Sequence, residues 1–272
     1  MRYFCVSDIH GQYTKLIEAL ANAGFDMEKD TLINVGDSFD RGPENQQVLD
    51  FLMSLPHRIL IWGNHDRRLR ELACGDFIAE FDFHNGTNKT IKDFAPQCDN
   101  VWSAQRALVN NTVLWDYFRE CHFAVEFPDL IITHAWVPYF EDYVYLNSDE
   151  YQKSLLNGSL GYDPNIKLVR DWRNARLKEW DDCCWGRTDL CVKKKAFPDK
   201  KILVGHWHAF DIAEKCGVER ISKHGGKSPW INCSTFEIED KAIFIDGCSN
   251  YEKGGCVNVY VFESDAEPEF IF

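Results

Sequence analysis

No stretch of this 272-residue chain reaches the roughly 18 consecutive apolar residues of a membrane span, which argues against a helical membrane protein. Positive charge is also scarce. Lys and Arg number 30 against 43 Asp and Glu, a net charge of -13, and that balance opposes nonspecific binding to nucleic acid or to an anionic membrane. The one basic run, Lys193-Lys194-Lys195, is too short to change this and reads as a solvated face. Pro, Gly and Ser nowhere cluster into a linker, and there is no internal repeat or low-complexity tract. Cysteine is plentiful, at 11, but it never takes Cys-x-x-Cys spacing, and the odd count fits a reducing compartment. A first strand starting at Arg2 leaves no room for a signal peptide, so a cytoplasmic location is expected. Most cysteines, the adjacent Cys183 and Cys184 included, then read as small buried hydrophobes.

What is present suffices for a single domain over residues 1–272, since 45% of the chain is hydrophobic. Periodicity predicts a strand at 2–7, a helix at 12–23 with Leu16, Ile17 and Leu20 on one face, a strand at 31–35, a helix at 44–54 and a strand at 58–62. This alternation argues for βαβ units, in which ligands bind at the carboxyl ends of the strands. After residue 120 the pattern changes to closely spaced strands near 122–127, 130–134, 201–204, 242–246 and 256–262. Two stretches interrupt the scaffold: a helical region at about 71–120, and an aromatic, acidic region at about 139–182. The second holds Tyr139, Phe140, Tyr143, Tyr145, Tyr151, Tyr162, Trp172 and Trp180, which suit a helical cap with its own small core or a wall beside the site. No role is assigned to 213–240.

Five short segments carry the chemistry: Asp8-Ile9-His10-Gly11, Gly36-Asp37-Ser38-Phe39-Asp40-Arg41-Gly42, Gly63-Asn64-His65-Asp66, Thr133-His134-Ala135 and Gly205-His206-Trp207-His208. Each alone is unremarkable, a turn or a pair of surface histidines, but four of the five directly follow an apolar run. Residues two apart at a strand end point the same way, so Asp8 and His10 can grip one ion. Asp37, just past a buried strand, can bridge two ions lying roughly 3.5–4 Å apart. Asn64 can offer its carbonyl to the second ion without adding charge, His134 and His206 can complete it, and His208 can return to the first. Oxygen and nitrogen donors without thiolate suit a pair of divalent metals rather than a structural zinc. Mn²⁺ is a reasonable choice in vitro, with Fe, Zn and Mg as alternatives.

In order and spacing these segments resemble the calcineurin-like metallophosphoesterases, and the Asp40-Arg41-Gly42 ending resembles the phosphoprotein phosphatase (serine/threonine phosphatase) branch of bacterial or phage type. The resemblance runs from about residue 3 to residue 260. It includes Ile245-Asp246-Gly247-Cys248 with Gly254-Gly255, and a shorter match at Trp185-Gly186-Arg187. It implies a layered α/β/β/α sandwich with helical insertions and a dinuclear centre. Asp8, His10 and Asp37 would hold the first metal, with Asp37 bridging, and Asn64, His134 and His206 the second. His65 would be the general acid oriented by Asp40, and Arg41 and Arg187 would grip phosphate oxygens.

Three positions depart from the family pattern. Trp62 stands where many members have an arginine. Trp136 follows His134-Ala135 in place of glycine, and it either stacks on a substrate ring or, as expected here, packs against Tyr139–Tyr145. His208 stays open as a ligand, because the phosphatase branch commonly uses one histidine in this segment while other members use both. The function expected is hydrolysis of phosphoserine or phosphothreonine, or of small phosphomonoesters. The alternative is hydrolysis of a dinucleoside polyphosphate such as diadenosine tetraphosphate, or of another nucleotide. A non-catalytic scaffold would predict decayed ligands, whereas Asn64, His65 and Asp40 are intact.

Overall fold

The computed structural model describes residues 1–142, 165–217, 234–250 and 254–271. The chain opens with β1 (Arg2–Val6), α1 (Tyr13–Ala23), β2 (Thr31–Asn34), α2 (Asn45–Ser54), β3 (Arg58–Ile61) and α3 (Asn64–Ala73). A helical stretch follows, with α4 (Glu80–Asn85), α5 (Thr87–Phe94), α6 (Val101–Ala107) and α7 (Thr112–Glu120). Then come β4 (Cys121–His122), β5 (Ala124–Glu126), β6 (Leu130–Thr133), β7 (Tyr139–Asp142), β8 (Asn165–Leu168), α8 (Leu177–Cys184) and α9 (Thr188–Lys193). The remainder is β9 (Lys201–Val204), α10 (Ala209–Lys215), β10 (Phe236–Ile238), β11 (Ala242–Phe244), β12 (Tyr260–Glu263) and β13 (Glu269–Ile271).

Among the described residues the strands form a five-stranded sheet of order β12-β1-β2-β3-β4, a six-stranded sheet of order β10-β11-β9-β6-β5-β13, and a β7-β8 pair. In the first sheet β1 to β4 run parallel, and β12 closes the edge antiparallel to β1. Side-chain alternation builds the layers. Tyr3, Cys5, Ile33, Ile59 and Ile61 of the first sheet meet Val125, Ile132, Leu203 and Ile243 of the second in one apolar layer between the sheets. Their neighbours Phe4, Val6, Leu32 and Leu60 point the other way, into a cluster shared with Leu16 and Leu20 of α1 and with Val48, Leu49 and Leu52 of α2. On the far side of the second sheet Ile131, Ile202, Val204 and Phe244 belong to the same kind of helix-facing cluster. A strand buried on both faces needs the near-continuous apolar runs noted above, and the result is the α/β/β/α layering expected from the sequence.

Helix ends are set by local chemistry. Gly24 closes α1 with φ of 76°, a left-handed conformation that few side chains tolerate. At the start of α3, Gly63 is followed by Asn64 and His65 in the first turn, and the Asp66 carboxylate reaches back 3.1 Å to the Gly63 N–H.

Two expectations change. The strand predicted at 122–127 is two strands in different sheets: β4 pairs with β3, β5 pairs with β6, and the chain crosses between them at Phe123. The strand placed at 256–262 lies at β12, and β7, β8, β10 and β13 were not anticipated. Of the aromatic region, Tyr143, Tyr145, Tyr151 and Tyr162 lie outside the described residues, as does much of 213–240. Trp172 and Trp180 are buried core. No helix among the described residues is long and apolar enough to cross a membrane.

Candidate active site

Five loops at the strand ends converge on one cleft of about 310 Å³, lined by Asp8, Asp37, Arg41, Asn64, His65, His206, Trp207, His208 and Asp211. Asp8 and His10 leave β1, Asp37 follows β2, Asn64 and His65 open α3 after β3, His134 follows β6 and His206 follows β9. Several of these residues sit in the left-handed region, with φ of 51° at Asp8, 47° at His10, 54° at Asp37 and 64° at His206. Such backbone costs about 1–3 kcal/mol per residue and persists where the surroundings over-determine it. Here the surroundings are a hydrogen-bonded weave: His10 N–H to Asp37 O at 3.0 Å, Asp8 N–H to Gly36 O at 3.0 Å and Gly205 N–H to His134 O at 2.8 Å.

His10, Asp37 and His65 bring ligand atoms within 4.8 Å of one another, and so do Asp37, His134 and His206. Asp37 belongs to both groups, the position a bridging carboxylate must take. Two of the imidazoles are aimed by their second nitrogen: His10 Nδ1 bonds Phe39 O at 2.9 Å, and His134 Nδ1 bonds Val35 O at 2.8 Å. His134 Nε2 lies 3.1 Å from Asn64 Oδ1, so those two donors point at the same spot.

Electrostatics sort the groups further. Burial opposes the charge of Asp37, yet His134, His65, His10 and His206 around it hold its carboxyl below the usual carboxylate range. Burial, together with Arg41 and His65, pushes His10 well below the ordinary imidazole value. Burial and the neighbouring His134 take His206 down to about 3. Both shifts favour the neutral imidazole, the form that binds metal. Burial opposes the charge of His134 too, but Asp37 and Asp8 raise its pKa. His65 is raised as well. Burial works against its charge, but Asp37 and the hydrogen bond to Asp40 raise its pKa, so it keeps its proton more readily.

That hydrogen bond, His65 Nδ1 to Asp40 Oδ2 at 2.8 Å, is the core of the proton-handling side of the site. Thr87 Oγ1 donates to Asp40 Oδ2 at 2.6 Å, and Thr90 Oγ1 donates to Oδ1 at 2.7 Å. Asp40 is fully buried. Held by these three bonds, it acts on the Nδ1 side of His65, and Nε2 on the cleft side accepts from Arg41 Nη2 at 3.1 Å and lies 3.9 Å from Asp37 Oδ2.

The residues fit a pair of divalent cations on two further observations. His10 Nε2 is buried with no hydrogen-bond partner, an orphan that a cation would satisfy, 3.9 Å from Asp8 Oδ1 and 3.7 Å from Asp37 Oδ2. The glycines beside the carboxylates also leave the space open: a Cβ on Gly205 would strike Ser7 and Asp8, and one on Gly63 would strike Asp37.

The other sequence candidates fall elsewhere. Arg187 stands outside the cleft lining, its Nε 3.0 Å from Asp189 Oδ1 on an exposed surface. His208 lines the cleft, but it groups with Asp246 and Cys248 rather than with His10 and Asp37. Trp62 is buried, stacked on Phe118 at 5.7 Å. Trp136 is not a stacking platform: it belongs to the core cluster against which Tyr139 packs, and residues 143–145 of the expected packing segment lie outside the described residues. Trp136 is fully buried beside Phe197, with its indole N–H on Ala196 O at 3.0 Å, because the chain after His134 turns inward.

Sequence reasoning passed over Asp66, whose carboxylate takes the N–H groups of Asp37 at 2.8 Å, Ser38 at 3.2 Å and Gly63 at 3.1 Å and so ties two ligand loops together. An acid at the third position of a helix beginning in Gly-Asn-His was a readable signal. Thr87 and Thr90 carried none.

Residues 1–210 match the family described as calcineurin-like phosphoesterase. Among curated proteins the chain is 38% identical over 76 residues to a symmetrical bis(5'-nucleosyl)-tetraphosphatase from Hamiltonella defensa, covering 28% of each chain. It is 42% identical over 72 residues to the protein of that name from Coxiella burnetii, covering 26% of this chain and 25% of the other. The match thus spans only about a quarter of those relatives' length. A protein serine/threonine phosphatase from Saccharomyces cerevisiae superposes with a TM-score of 0.45 at 14% identity, covering 99% of this chain and 82% of that one.

Proposed function

Because the chain belongs to the calcineurin-like phosphoesterase family, whose members hydrolyse phosphoesters at a dinuclear divalent centre, we propose that it is a serine/threonine-type protein phosphatase working in the cleft at the carboxyl ends of the strands. Asp8, His10 and Asp37 hold one cation in this reading, Asn64, His134 and His206 the other, with Asp37 shared. Once bound, such a pair supplies Lewis acidity at the phosphoryl oxygens and makes hydroxide available near neutral pH. The chain's own residues do the rest. Arg41 lies on the cleft beside His65 and grips a phosphate oxygen with its planar guanidinium. The His65–Asp40 pair carries the reading. With Arg41 turned from Nε2 to the phosphate and the imidazole doubly protonated, His65 passes its Nε2 proton to the departing seryl or threonyl oxygen as water attacks phosphorus and the P–O bond breaks. Arg187, held by Asp189, is not used.

A second reading, hydrolysis of a dinucleoside polyphosphate, is favoured by the names of the curated relatives and by Trp207, an indole on the cleft wall that offers a base a stacking surface. The two are separated by assaying manganese-loaded protein in parallel on a phosphoserine and phosphothreonine peptide, on p-nitrophenyl phosphate and on diadenosine tetraphosphate. Turnover of the peptide is expected. Cleavage of the dinucleotide alone reverses the ranking, and no turnover of any of the three ends the hydrolase reading.

A further inference from the structure

Beyond the dinuclear set, a second kind of donor cluster sits in the wall of the same cleft. We infer that His208, Asp246 and Cys248 form a third cation site, selective for a thiophilic divalent ion such as zinc. Their ligand atoms all lie within 4.8 Å of one another. The imidazole is already held as metal-binding histidines are held: His208 Nδ1 bonds Asp211 Oδ2 at 3.0 Å, and this turns Nε2 toward Asp246 Oδ2, 3.9 Å away. The carboxylate is fixed as well, since Asp246 Oδ1 accepts the Cys248 N–H at 2.8 Å and leaves Oδ2 toward the imidazole. Cys248 itself has φ of 54°, a left-handed turn that a cysteine adopts rarely.

The donor chemistry separates this cluster from the dinuclear centre. Nitrogen, oxygen and sulfur together favour zinc over manganese or magnesium, whereas the main set has no thiolate. Three protein ligands leave the fourth tetrahedral position open. Asp246 and Cys248 are buried behind the wall while His208 lines the cleft beside Asp8 and His206, so the open position falls on the cleft side, where water or a phosphate oxygen can take it.

The test reloads metal-free wild-type protein and Cys248→Ser with zinc, manganese or cobalt and counts bound ions by elemental analysis. Expected are three zinc ions per wild-type chain and two in the variant, with two manganese ions in both. Cobalt is expected to give a thiolate-to-metal charge-transfer band in the wild type that Cys248→Ser loses. Equal zinc counts in the two proteins, or no thiolate band with cobalt, overturn the inference. Should the variant not fold, X-ray absorption of zinc-loaded wild type decides: a sulfur neighbour supports the site, and nitrogen and oxygen neighbours alone overturn it. The cobalt band is read independently of the manganese count, so a chain holding no manganese would end the dinuclear reading and leave the thiolate site to its own result.

Discussion

His65 sets one ring nitrogen into the fold and turns the other to the cleft. Its Nδ1 is spent on a buried Asp40, and its Nε2 faces the cleft between Arg41 and Asp37. His65→Asn removes the proton donor without removing any proposed metal ligand, so turnover should fall by roughly 100- to 10,000-fold while two metal ions still bind. Steady-state kinetics alongside metal analysis check this, and unchanged turnover refutes the role. The pair was legible in the sequence because His65 and Asp40 stand in glycine-flanked motifs. What holds the pair was not. Thr87 and Thr90 look like ordinary polar helix residues, and only the fold brings them to Asp40 from some 50 positions away in the chain.

The glycine positions belong to strand ends rather than to single side chains, for they decide how closely β9 of one sheet approaches β1 of the other. Gly205 is the point of contact, where a methyl group would meet Ser7 and the Asp8 carboxylate. Gly205→Ala should therefore push Asp8 out of place and cut metal affinity at least tenfold, with an overpacking cost of about 1–3 kcal/mol. Calorimetric metal titration beside thermal melts tells a displaced ligand from an unfolded chain, and unaltered affinity would show that Asp8 is not a ligand. The helices α4 and α5 depend in turn on α3. Arg68 makes paired bonds of 2.9 and 2.8 Å to Asp82, which is fully buried. Arg68→Ala strands that charge and should cost about 3–5 kcal/mol in denaturant unfolding. Activity should drop with it, because α5 carries Thr87 and Thr90. Element types were readable from apolar periodicity. The split of 122–127 between two sheets was not, since a strand that changes sheets at Phe123 keeps the same alternating pattern on both sides.

Nothing in the composition says how the segment after β8 is tied to the layered scaffold; Trp172 and Trp180 are buried in its core, and an ionic cluster adds to them. Glu126, buried on β5, accepts from Arg173 at 2.7 Å and pairs with Lys200 at 2.6 Å, while Arg173 also reaches Asp199 at 3.0 Å. These residues lie far apart in sequence and belong to no motif, so only the assembled chain shows the cluster. Burial disfavours the Glu126 carboxylate, but the bonds to Arg173 and Lys200 outweigh it and lower its pKa below the ordinary value. The sign of the pH dependence follows. A carboxyl with its folded pKa below its unfolded one, about 4.3, stabilises the fold above that unfolded value and loses the contribution as pH falls through the folded pKa. Wild type should accordingly be more stable than Glu126→Gln at pH 7. The gap should close on acidification below about 4.3, and Glu126→Gln should show the shallower acid limb. Denaturant unfolding of both proteins at a series of pH values measures it. A gap that widens toward acid would mean that Glu126 is protonated in the fold and that Arg173 and Lys200 are held by something else.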